Sequence, residues 1–130
     1  MNWTAIAAVE LALGVGLGAF GAHGLRDRLS AYSMALWEKA VFYHFVHGLG
    51  LLLVSLLMST KNISRRAGEW ACWLLVAGVL IFSGSLYLLA VTGVRTLGAI
   101  TPLGGIAFIA AWVVVAVAAI SSASGSSGSR

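Results

Sequence analysis

Charge is what this sequence has least of. Asp, Glu, Lys and Arg make up 9% of its 130 residues, against about 25% in a typical soluble domain. With 60% hydrophobic residues and a mean hydropathy of +0.97, the polar surface is too small to cover a globule in water. A water-soluble domain is therefore excluded. Cysteine is nearly absent: Cys72 stands alone, so an internal disulfide is impossible and the residue reads as a small apolar group in a helix. Proline occurs once, at Pro102. Reactive signatures are missing as well. The chain holds no GxSxG, no P-loop, no HExxH and no paired carboxylates, so an enzyme is not expected. The net charge of +4 comes without an extended basic stretch interleaved with aromatics, which argues against nucleic acid as a partner. Arg26 and Arg28, and Lys61, Arg65 and Arg66, instead form two short clusters of the kind that meets lipid headgroups.

What is present in quantity is long apolar sequence. A helix needs about 20 apolar residues to cross the hydrocarbon of a bilayer. Four stretches qualify, at about 3–22, 36–58, 70–94 and 96–120. The expected fold is all-α: an integral membrane bundle of four transmembrane helices, forming one domain over 1–120. A cleaved signal peptide is not expected, because "MNWTAIAAVE" lacks a basic start and the apolar run is too long. Between the first two spans, the stretch from Leu29 to Trp37 carries Tyr32 and Met34, and part of it is expected as a short interfacial helix. The tail at 121–130 is rich in Gly and Ser and is expected to be disordered. Four spans place both termini on one side, together with Lys61, Arg65 and Arg66. Arg26, Arg28, Lys39 and Arg95 fall on the other. The denser cluster at 61–66 favours cytoplasmic termini.

Two packing signals stand out. Gly14, Gly18 and Ala22 lie four apart, a small-residue stripe that lets helix backbones approach closely. The partner is either another span of this chain or a second copy. Pro102 is followed by Gly104 and Gly105. It is either a helix start or a break at membrane depth, which survives only when buried in protein or lining a cavity.

Polar residues interrupt the spans in a pattern. Counting along alternating spans places His23, then Tyr43, His44 and His47, then Ser83, Ser85 and Tyr87, then Thr101 in the same half of the membrane. Tyr43 and His47 share a helix face, and His44 lies close to it. Three readings follow. One is a network of interhelical hydrogen bonds, worth about 0.6–2 kcal/mol each. Another is a small-molecule, ion or proton site around His47, lined by His23, Tyr43, Ser83, Tyr87 and Thr101, because an imidazole titrates near pH 6.5. The third is a metal, haem or quinone site. Its weak candidate ligands are His23, His44 and His47, which lack an obvious third or fourth partner. No particular cofactor is indicated. Glu10 lies about 10 Å along the first span. It is a candidate coupling carboxylate, expected to be protonated or paired with Ser55 or Asn2.

Four segments, in order, are "GAFGAHGL", "YHFVHGLGLL", "FSGSLYLL" and "LGAITPLGGIAFIAAW". Together they resemble the family called domain of unknown function 423, the UPF0382-type membrane proteins. The resemblance covers about residues 5–115. It implies a small four-helix protein of bacterial inner membranes, also found in eukaryotes, with no established activity. The family's motif histidines fall on His23 and His47. Glutamine also occurs at the position of His44, which argues against His44 as an obligate metal ligand. Ala111 stands before Trp112 where the family usually has glycine. The role expected is that of a structural or accessory membrane component, as a homo-oligomer or within a larger complex.

Overall fold

The computed structural model describes residues 1–127, with side chains to residue 124. Helix α1 spans Trp3–Phe20 and opens where the Asn2 side chain accepts from the Ala5 N–H at 3.1 Å, satisfying an otherwise orphaned donor of the first turn. It continues as a wider π-helical turn over Gly21–Leu25. Helix α2 spans Ala31–Ser59 and is capped by Ser30, whose hydroxyl accepts from Ser33 N–H. This cap starts the second span at residue 31 rather than 36. The aromatic-bearing link is thus the opening of α2 and not a separate interfacial helix. Trp37, expected at headgroup depth, is buried in the bundle.

The third span is α3 over Arg65–Gly78, capped by Ser64, then a π-helical turn over Val79–Ser83, then α4 over Gly84–Thr92. Gly93, at φ +70°, ends it in the left-handed conformation, which glycine adopts without steric cost. Helix α5 spans Thr96–Ser127. Pro102 sits in its second turn, and the helix runs through unbroken. The proline forfeits one backbone donor near the helix start and does not split the span. At the other end, the hydroxyls of Ser121, Ser122 and Ser124 donate to carbonyls four residues back, at 2.9, 2.9 and 3.1 Å. The hydroxyls are thereby satisfied within the helix itself. Residues 121–127 of the expected tail are helical, and 128–130 lie outside the described residues.

Among the described residues, four helical segments are long and apolar enough to cross a membrane: Trp3–Leu25, Ala31–Ser59, Arg65–Thr92 and Thr96–Ser124. Helix α2 is central, with α1 on one flank and α3, α4 and α5 on the other. Leu51, Val54, Ala71, Cys72, Leu75, Phe108 and Ala111 form the main core. Large apolar side chains such as Val9, Phe42, Leu49, Leu80 and Ile109 point outward, as expected of a lipid-facing surface. The small-residue stripe serves this chain's own packing. A Cβ at Gly14 would stand 3.4 Å from the Phe45 ring, and one at Gly18 would stand 3.5 Å from Val41. Both neighbours belong to α2. Ala22, further along, is exposed.

Candidate functional site

The polar residues of the spans are held in several separate contacts rather than one. Ser83 closes the π-helical turn of the third span and is fully buried. Its hydroxyl donates to the Ala40 carbonyl of α2 at 2.8 Å. Ser85, two residues on and so on nearly the opposite side of the helix, shares a 2.7 Å hydrogen bond with Thr101 of α5. The two serines thus tie one helix to two different neighbours. Close approach at this turn requires Gly104, because a Cβ there would run into the main chain of Phe82.

His44 and Tyr87 form the third contact, with Nδ1 and the phenolic oxygen 3.2 Å apart. The Tyr87 ring lies against Trp37 at a centroid separation of 4.6 Å. The Trp37 Nε1–H donates to the Leu17 carbonyl at 2.9 Å. This chain of contacts links α4, α2 and α1.

His47 is packed among aromatic rings. Its ring is nearly parallel to Phe108, with centroids 3.4 Å apart and planes at 11°. On the Tyr43 side the planes differ by 9° at 5.8 Å. Tyr43 in turn meets Phe82 at 4.4 Å, and Trp112 completes the surround at 6.2 Å. Nδ1–H of His47 donates to the Tyr43 carbonyl one turn back at 2.9 Å. That bond fixes the tautomer and turns the ring along its own helix.

The convergence expected in one membrane half is therefore resolved into three hydrogen-bonded links and an aromatic cluster. His23 joins none of them. It lies exposed in the π-helical turn at the end of the first span. Among the described residues, no three His, Cys, Asp or Glu side chains come together as a metal site. The expected partners of Glu10 are engaged elsewhere: Ser55 bonds Thr4 at 3.2 Å and the Leu52 carbonyl at 2.8 Å, while Asn2 caps α1.

Glu10 itself is buried, with Oε2 unpartnered. Its Cβ lies 3.9 Å from where a Cβ on Gly48 of α2 would stand. His44, one turn before Gly48 on the same face, has its ring near the main chain of Glu10. Its Nε2 is buried and completes no hydrogen bond. The reading of sequence alone set Glu10 apart from the histidines. The signal that joins them is the antiparallel register of α1 on α2, visible once Gly14 is placed against Phe45 and Gly18 against Val41. The acceptors Leu17 and Ala40 have no sequence signal, because they act through main-chain carbonyls.

Residues 17–105 match the family model described as protein of unknown function (DUF423). That segment holds His23, Tyr43, His44, His47, Ser83, Ser85, Tyr87 and Thr101, while Asn2, Thr4 and Glu10 precede it. A UPF0382 membrane protein of Staphylococcus epidermidis is 51% identical over 115 residues, covering 88% of this chain and 92% of its own. One from Staphylococcus haemolyticus is 52% identical over 105 residues, covering 81% and 84%. The UPF0382 membrane protein YwdK of Bacillus subtilis is 47% identical over 115 residues, covering 88% and 93%. No solved structure matches the chain.

Proposed function

We propose a role for the chain on the premise that it belongs to the DUF423 family of proteins of unknown function. It is a non-enzymatic structural or accessory component of the bacterial inner membrane, with both termini in the cytoplasm. The observation that carries this reading is the use made of the buried polar groups. Trp37, His44, Ser83 and Ser85 each bond a neighbouring helix. Their partners lie in turn on α1, α4, α2 and α5, so each bond joins one pair of helices. Interhelical bonds of this kind are modest stabilisers that fix which helix meets which. Cys72 sits among apolar core residues.

The orientation rests on Lys61, Arg65 and Arg66, which share a side with both termini. Association with a second copy or a larger complex is part of the reading. Two measurements test it. Cross-linking in native membranes, followed by mild solubilisation and native mass spectrometry, should give a discrete larger assembly. An optical spectrum of the same sample should show no visible band. A reproducible bound small molecule or chromophore would sink the structural reading in favour of a binding protein. For topology, Cys72→Ser with either Asn62→Cys or Val94→Cys provides single reporters. An impermeant thiol reagent added to intact cells should label the cysteine at 94 and spare the one at 62. The reverse pattern would invert the orientation.

A further inference from the structure

Three of the four spans have an end at one polar cleft. Helix α1 begins at Trp3, α2 ends at Ser59 and α3 begins at Arg65. A cleft of about 480 Å³ lies among these ends, bordered by Asn2, Trp3, Thr4, Ser55, Ser59, Arg65 and Glu69 among others. A cleft placed where spanning helices terminate lies at the depth of the lipid headgroups, here on the side of the N-terminus. Tryptophan favours that depth. Trp70 and Trp73, in the opening turns of the third span, are 61% and 51% exposed, and Trp73 meets Trp3 edge to face at 5.1 Å.

The wall of the cleft carries charge of both signs. Among the described residues, the only ion pair is Arg65–Glu69, closed by a single bond from Nε to Oε1 at 3.0 Å. The terminal nitrogens of Arg65 and the Oε2 of Glu69 bond nothing else in the chain, and both side chains reach solvent. Asn2 uses its side-chain oxygen to cap α1, which leaves its amide N–H groups to donate. The Ser59 hydroxyl donates to the Leu56 carbonyl and can still accept. Thr4 and Ser55 bond each other at 3.2 Å and hold the α1 and α2 walls together. Trp3 adds a buried indole N–H without a partner, and an unpaired buried donor is costly.

We infer that this cleft binds the headgroup of a phospholipid bearing both a phosphate and a primary ammonium, the phosphatidylethanolamine class. The open edge of the Arg65 guanidinium takes the phosphate, because its planar fork of donors matches phosphate oxygens. The free carboxylate oxygen of Glu69 accepts from the ammonium. The Asn2 amide donates to a phosphate or ester oxygen. An anionic headgroup without an ammonium leaves Glu69 facing negative charge. A choline headgroup has no N–H to give the carboxylate. The acyl chains then run into the hydrocarbon around the bundle. This inference does not depend on the structural role proposed above. A phospholipid is recognised by its mass and is distinct from the chromophore or other small molecule that would sink that role.

The test is native mass spectrometry of the full chain in mild detergent, titrated with phosphatidylethanolamine, phosphatidylcholine and phosphatidylglycerol of the same acyl composition. The first phosphatidylethanolamine should bind about threefold or more tightly than either other lipid, the size expected for exposed charge pairs. Arg65→Gln should weaken all three lipids. Glu69→Gln should weaken phosphatidylethanolamine and erase its advantage. Arg66→Gln is the control, since Arg66 borders a different cleft, with Trp70 and Trp73, and should leave the preference unchanged. Arg65 and Glu69 are 81% and 41% exposed, so their variants should fold, as circular dichroism will show. Equal affinity for the three lipids would overturn the inference. So would a preference that survives Glu69→Gln or that is lost equally in Arg66→Gln. Soluble phosphoethanolamine should displace the lipid only weakly. Displacement at the lipid's own concentration would assign the cleft to a free phosphate monoester and overturn the lipid assignment.

Discussion

At the scale of single residues, the buried polar side chains of this bundle divide into those with a partner and those without. Ser83 belongs to the first group. Its hydroxyl meets the Ala40 carbonyl at 2.8 Å, and that carbonyl also lies in a continuous helix. Ser83→Ala should therefore cost about 1 kcal/mol, as is common for interhelical bonds in membranes, read by reversible unfolding in detergent or bicelles. Ser85 and Thr101 bond each other. A double-mutant cycle on the pair should return a coupling energy of similar size, and no coupling would mean that the 2.7 Å contact does not persist in lipid. His47 is different, because its contribution is mainly ring packing against Phe108 at 3.4 Å. His47→Ala removes that ring and should cost about 2 kcal/mol or more. His47→Phe keeps an aromatic ring there and should cost less. Equal losses for the two variants would show that the Nδ1–H bond, and not the stack, is what matters. The identity of these residues as buried polar groups is evident from the sequence, since the spans are otherwise apolar. Their partners are not, because half of them are main-chain carbonyls that any residue supplies.

Among the elements, the π-helical turns are the departures from regular helix that most affect the arrangement. A wider turn is common where a helix meets a functional or strained contact. Here the turn over Val79–Ser83 ends on the serine that bonds α2 and carries Phe82 against Gly104 of α5. Gly104→Ala places a methyl group on the Phe82 main chain, which cannot rotate away as a side chain tip can. The substitution should loosen the α4–α5 pair and weaken the Ser85–Thr101 bond, seen as a lowered melting temperature and altered Thr101 chemical shifts. Gly16→Ala provides the contrast. Nothing lies within 4 Å of a Cβ at Gly16, so alanine there should be neutral or stabilise by up to about 1 kcal/mol through helix propensity. Comparable destabilisation at both sites would mean that the helix contact at Gly104 is not as close as described. The glycines were visible in sequence, but which of them face a neighbour depends on how the helices turn about their axes.

For the whole molecule, the position of α2 at the centre sets a hierarchy. Helix α1 packs mainly on α2, whereas α3, α4 and α5 also pack on one another. Amide hydrogen exchange should therefore be faster along α1 than along α2, because local opening follows the density of tertiary contacts. Equal protection of the two helices would argue that a second copy or another partner covers α1 in the membrane.

The sequence by itself determined the helical class, the count of four spans and the family. Each of these is a local property. In hydrocarbon the backbone must satisfy its own hydrogen bonds, so a long apolar stretch becomes a helix whatever its neighbours are, and the motif strings are read along one chain. Tertiary structure decided the rest. Ser30 set the start of α2, and α5 ran on through Ser127. The register of α1 on α2 set Gly14 against Phe45 and Glu10 against Gly48, and the rotation of the third span about its axis sent Ser83 and Ser85 to different helices. Such pairings depend on the rotation and stagger of helices that are apolar on nearly every side. Hydrophobic periodicity carries almost no information about either quantity, and close packing of the side chains fixes both.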